Sequence, residues 1–193
     1  MISFLKGKFV QKTPAQVWMD VGGVGYEVNI SLNTYSKIQS LTEGMLYTHL
    51  LIREDAHQLF GFIDQSEKEI FQHLISVSGI GASTARVMLS YMKPEELAGA
   101  IVKGDTRSLE AIKGIGKKTA ERMVLELKDK LAKHPLDTNI SPLINNTLQQ
   151  DSLNALMALG IHRQVASQAL DKVLKDHPDL GAEELIKLTL RSL

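Results

Sequence analysis

Val77-Ser-Gly-Ile-Gly-Ala-Ser-Thr-Ala85 recurs 35 residues later as Ile112-Lys-Gly-Ile-Gly-Lys-Lys-Thr-Ala120. Each copy is a Gly-Ile-Gly turn between helical patterns, so the chain carries two units of helix, hairpin and helix. In the first unit Ser66-x-x-Glu69 has capping-box spacing, and Ile70, Phe71, Leu74 and Ile75 recur at helical spacing up to the turn. In the second, Asp105 or Thr106 is the expected cap and Leu109 and Ile112 form the apolar stripe. A long helix then begins near Lys117, with Ala120, Val124, Leu127 and Leu131 on one face.

A turn of this kind presents backbone N–H groups beside a helix N-terminus, where unpaired donors and the positive end of the helix dipole favour an anion. Glycine lets the chain bend tightly and approach a ligand without a Cβ in the way. Gly-x-Gly also serves as a plain helix C-cap. Two copies in one register, the second followed by Lys117 and Lys118, favour a phosphate clamp. A nucleotide-binding loop would need a preceding buried strand and a full G-x-G-x-x-G or Walker pattern, and neither occurs. Successive clamps suit a nucleic-acid backbone, where phosphate contacts position a duplex without reading its sequence. The expected backbone-binding set is Gly79, Gly81, Ser83, Gly114, Gly116, Lys117, Lys118 and Arg122.

Charge supports this locally. The whole chain balances 22 Lys and Arg against 22 Asp and Glu, but residues 107–133 carry eight basic side chains against four acidic ones. Lys113, Lys117, Lys118 and Arg122 lie nearest the second turn and could neutralise phosphates, releasing counterions. The alternative is a solvated helix face, with Glu126 spaced to pair with Lys130. The first turn has Ala82 and Ser83 where the second has its lysines, so it must rely on its amides and the Ser83 hydroxyl, and should grip more weakly. Arg86, one turn further on, either substitutes in part or joins a helix-face salt bridge.

The rest of the chain has three textures. Residues 1–62 alternate, with strands expected over 2–10, 16–21, 25–30, 46–52 and 59–63 and a brief helix over 32–40, a pattern for a small OB-type barrel. Residues 63–133 form the all-α tandem hairpin domain. Residues 134–146, with Pro135, Pro142, Asn145 and Asn146, read as a flexible linker. Residues 147–193 resume helical periodicity as a three-helix bundle, slightly acidic with six Asp or Glu against five Lys or Arg, which suits protein docking better than DNA. The fold class is therefore multidomain α+β. With no cysteine, neither disulfides nor thiolate metal sites are available. No membrane-length apolar stretch occurs, and a cytoplasmic protein is expected.

The barrel pattern with Val21-Gly-Gly-Val-Gly-Tyr-Glu-Val28, the turn Arg53-Glu-Asp-Ala56 before Leu59-Phe-Gly-Phe62, the two hairpins and the C-terminal Ala158-Leu-Gly160 closely resemble the RuvA family. Its members are DNA-binding subunits of bacterial Holliday-junction branch-migration complexes. The resemblance covers everything but the linker. It implies a homotetramer, with an octamer left open, that holds a four-way DNA junction open and square. It also implies a C-terminal module of ubiquitin-associated type that docks the hexameric ATPase RuvB, and a resolvase, RuvC, that joins the complex. Docking is expected on whichever apolar residues among Leu156, Ile161, Val165, Leu170 and Leu174 are exposed, a face the sequence leaves open. No membrane partner is implied.

On this resemblance Glu54 and Asp55, flanked by Arg53, become an acidic pin at the junction centre, repelling phosphates at short range and disfavouring straight duplex across the face. Catalysis is not expected. Adjacent Glu54 and Asp55 would point apart in a strand, and the six histidines show no ligand spacing, so neither a metal nor another cofactor is expected. Two other classes remain. A helix-hairpin-helix repair enzyme would need a substrate pocket beside Lys117. A single-strand or RNA binder would need stacking aromatics, and Trp18, Tyr26 and Phe62 could equally be core.

Overall fold

The structure is a computed structural model that describes residues 1–133, 148–177 and 180–192. The expected linker, 134–146, lies outside them. The chain divides into two compact units, Met1–Thr138 and Asn139–Leu193.

The first unit opens with strands β1 (Phe4–Lys12), β2 (Gln16–Val21) and β3 (Val24–Ile30), helix α1 (Leu32–Ile38), and strands β4 (Glu43–Ile52) and β5 (His57–Phe62). They close in the order β1-β2-β3-β5-β4, all antiparallel except β3 against β5, which is the expected OB-type barrel. β1 runs two residues beyond its expected end because, past an irregularity between Phe9 and Gln11, it keeps pairing to Lys12 opposite Val17. β4 starts at Glu43 rather than at residue 46, because β1 supplies partners to Glu43 and Gly44. The barrel core is Leu5, Phe9, Val17, Met19, Val28, Ile30, Ile38, Leu46 and Leu59. Trp18 stands 46% exposed on the outer face, its ladder partners being the polar Gln11 and Glu27, so it begins no row of stacking aromatics.

Helices α2 (Gln65–Ile75), α3 (Ala82–Tyr91), α4 (Pro94–Lys103), α5 (Thr106–Glu110) and α6 (Lys117–Lys133) follow. The N-cap of α2 is Asp64, which corrects the capping box expected at Ser66 and Glu69. Ser66 already lies inside the helix, and Asp64 spends its carboxylate on the Lys37 ammonium, leaving no side chain to cap the first turn. Asp105 caps α5 as expected; the hydroxyl and amide of Ser108 both donate to it and hold its carboxyl below the usual range.

β5 is buried on both faces. Leu59 enters the barrel core, while Phe60 and Phe62 pack on Phe71 of α2, with ring centroids 5.1 and 4.9 Å away, at the edge of the helical core. Side chains reinforce the join. Buried Glu67 of α2 accepts hydrogen bonds from the hydroxyls of Ser31 and Thr34, the latter at 2.6 Å, and Thr34 Oγ1 in turn accepts from the Ile63 amide at 3.1 Å. Burial raises the Glu67 carboxyl above its ordinary range, an effect those two hydrogen bonds oppose.

The second unit contains α7 (Leu148–Ala158), α8 (Arg163–Asp176) and α9 (Ala182–Ser192) around Leu153, Leu156, Ala166, Leu170, Val173 and Leu185. Gly160, at φ +90°, ends α7 by donating to the Met157 carbonyl, and the next amide, of Ile161, returns to Leu156.

Candidate nucleic-acid interface

The two glycine turns have the same backbone. Gly79 and Gly114 take φ +94° and +93°, a left-handed conformation that L side chains adopt only with strain. The amide of Ile80 donates to Val77 at 3.1 Å, and that of Ile115 to Ile112 at 3.0 Å. Gly81 and Gly116 then accept the first helical bonds of α3 and α6, from Ala85 at 2.9 Å and Ala120 at 3.0 Å. The isoleucine of each turn is buried, which anchors the turn, while all four glycines face outward. A Cβ at any of the four would meet nothing within 4 Å. The turns are thus open cradles of peptide groups, each at a helix N-terminus, and no side chain caps the first turn of α3.

Around the second cradle Lys113, Lys117 and Lys118 are exposed, with no acidic partner among the described residues. Ser83 is exposed at the first. Two arginines near the turns donate to carbonyl or amide oxygens of distant segments. Arg86 does not reach toward the first cradle: its Nη1 donates to the Ala15 carbonyl at 3.1 Å and to Asn29 Oδ1 at 3.0 Å, tying α3 to the barrel. Arg122, on α6, donates through Nη1 to the carbonyl of Ser78 at 3.2 Å, bridging the second hairpin to the first. No periodicity could have announced either contact, because their acceptors lie 71, 57 and 44 residues away.

Glu54 and Asp55 are exposed at the tip of the β4–β5 hairpin, where Ile52 pairs with His57 and the Arg53 amide donates to the Ala56 carbonyl at 2.9 Å. Arg53 and His57 are exposed beside them. His49, on β4, sets its ring edge-on to Phe71 at 5.5 Å; burial, and then the Lys68 charge, lower its pKa. Among the described residues no group of His, Asp and Glu could hold a metal ion, and no helix is long and apolar enough to cross a membrane.

In the C-terminal unit the expected docking set must be corrected. Leu156 and Leu170 are fully buried, and Ile161 and Leu174 pack against the same core, because a bundle this small needs them for its own interior. Val165 remains exposed, as do the apolar side chains of Met157, Leu159 and Leu190.

Three family models match the chain: the RuvA N-terminal domain over residues 1–61, a SAM-like helix-hairpin-helix tandem over 71–129, and the RuvA C-terminal domain over 147–193. Among similar proteins, one from Christiangramia forsetii is 44% identical over 193 residues and one from Flavobacterium psychrophilum 46% identical over 194, each covering all of both chains. A protein of Bacteroides fragilis is 41% identical over 201 residues, again along the whole of both. Each of the three bears the name Holliday junction branch migration complex subunit RuvA.

Proposed function

This chain belongs to the RuvA family, and we propose that it binds four-way DNA junctions by structure rather than sequence, as the DNA-binding subunit of a branch-migration complex. The observation that carries this reading is the pair of outward-facing glycine cradles with matching φ and matching hydrogen bonds, built into the same compact unit as an exposed acidic turn. Each cradle offers amide donors and a helix dipole to one phosphate, and Lys117 and Lys118 add mobile positive charge at the second. Glu54 and Asp55 supply the opposite sign. In a homotetramer four such turns would gather where the DNA arms cross and repel any backbone laid straight across them.

The chain acts without catalysis of its own in this reading. A separate hexameric ATPase of RuvB type drives migration and docks on the C-terminal unit, where Met157, Leu159 and Val165 are the exposed apolar candidates; a resolvase of RuvC type joins the same assembly in the cytoplasm. Gel-shift titrations of a four-way junction, a linear duplex and a single strand at matched salt test the proposal. Tighter binding of the junction is expected, and equal affinity for all three would remove it. Replacing Glu54 and Asp55 by Gln and Asn should leave junction binding intact or tighter while relaxing discrimination against the duplex. Strand scission or base release without a partner would instead favour a repair enzyme.

A further inference from the structure

We propose that Arg86 is a positioning residue for junction recognition, fixing through Asn29 the offset between the first glycine cradle and the acidic turn. The inference rests on the junction-binding reading. Arg86 lies one helical turn into α3, the helix whose N-terminus forms the first cradle. A guanidinium there would ordinarily be counted as a phosphate ligand, yet its Nη1 directs donors to two barrel acceptors, the Ala15 carbonyl at 3.1 Å and Asn29 Oδ1 at 3.0 Å. Both acceptors are themselves fixed. The Ala15 carbonyl also accepts from the Ile30 amide at 3.0 Å, and Asn29 Nδ2 donates to the Leu59 carbonyl at 3.3 Å.

Leu59 belongs to β5, the strand that leaves the acidic turn, so α3, Asn29 and β5 form one hydrogen-bonded path from cradle to pin. The same helix is held at a second point, where Ser90 Oγ accepts from the Leu32 amide at 3.0 Å and Asn33 Nδ2 donates to the Met92 carbonyl at 3.1 Å. A linear duplex needs only the grips. A branched substrate must satisfy grips and pin together, at one separation, so a looser bridge should degrade branch selectivity and spare duplex binding. A lysine ammonium also carries several donors on one nitrogen, but it ends one bond short of Nη1 and its donors are tetrahedral rather than held in the guanidinium plane, so it does not reproduce both contacts together.

The test compares the full chain with Arg86→Met, which keeps the aliphatic stem, and with Arg86→Lys and Asn29→Ala. Junction and duplex dissociation constants are measured across a salt series, arm geometry is read by energy transfer between labelled junction arms, and thermal melts confirm that each variant is folded. All three variants should weaken junction binding about five- to tenfold, the size of one ordinary hydrogen bond, with duplex affinity within about twofold and the salt slope unchanged. The Arg86→Met, Asn29→Ala double variant should be no worse than either single one. Equal losses on both substrates, a salt slope lowered by about one unit and rescue by Arg86→Lys would make Arg86 a phosphate ligand and overturn the proposal. Unchanged selectivity and arm geometry in folded variants would overturn it too. A wild-type chain without junction preference would remove the parent reading, a result distinct from any of these.

Discussion

The first glycine turn lies between helices that Arg86, Asn33, Ser90 and Glu67 tie to the barrel and α1, and it carries no lysine. The second has the same backbone and three exposed lysines, and Arg122 hangs it from the first. One cradle is rich in ties to the barrel and poor in charge; the other, seated on the helical core through Ile112 and Ile115, is rich in charge. Binding a backbone needs both qualities, and a duplicated motif allows them to reside in different copies.

The sharpest way to break this comparison is to move charge between the copies. Replacing Lys117 and Lys118 with Ala should weaken junction binding about tenfold or more and lower the salt slope by close to two units, one for each lost phosphate contact, whereas Ser83→Ala should change affinity by less than about threefold. Ser83→Lys should raise the slope by about one unit. Titrations across a salt series read all three, and similar losses from the lysine pair and from Ser83→Ala would mean that the copies share the load evenly.

Geometry gives the next largest effect. Gly79→Ala and Gly114→Ala each force an alanine into a left-handed conformation and should each destabilise the fold by about 1–2 kcal/mol in denaturant melts. Equal stability losses with unequal binding losses would sharpen the division. Equal binding losses would argue that amides, rather than lysines, dominate both grips.

The smallest effect falls on the barrel side of the first hairpin. Because the folded state raises the Glu67 carboxyl above its unfolded value, the stability it contributes is complete below the unfolded pKa and is lost as pH rises through the folded one. Glu67→Gln should flatten that decline in thermal melts taken from about pH 4 to about pH 8. A slope that survives the substitution would assign it to another group.

What could be read from the chain and what could not divide along contact range. The barrel, both hairpins and the Asp105 cap follow from alternation, helical spacing and turn chemistry, all properties of neighbouring residues. Asp64 rather than Ser66 caps α2 because the chain is still leaving β5 in extended form at that point, a boundary set by the sheet. The two arginines looked alike in sequence, basic and near a glycine turn, but their acceptors come from distant segments. A leucine stripe does not announce which side of a small bundle lies inside, so the burial of Leu156 and Leu170 and the exposure of Met157, Leu159 and Val165 follow only from how the three helices pack.

β5 has a consequence for how such proteins can be recombined. Leu59 serves one core while Phe60 and Phe62 serve the other, and the stretch between the first two family matches, 62–70, holds Phe62, Asp64, Glu67 and Ile70, which join them. A chimera cut between residues 62 and 63 would pair a strand from one parent with a helix never selected to fit it. Barrel and hairpins should therefore be inherited as a block, with viable crossovers falling beyond α6.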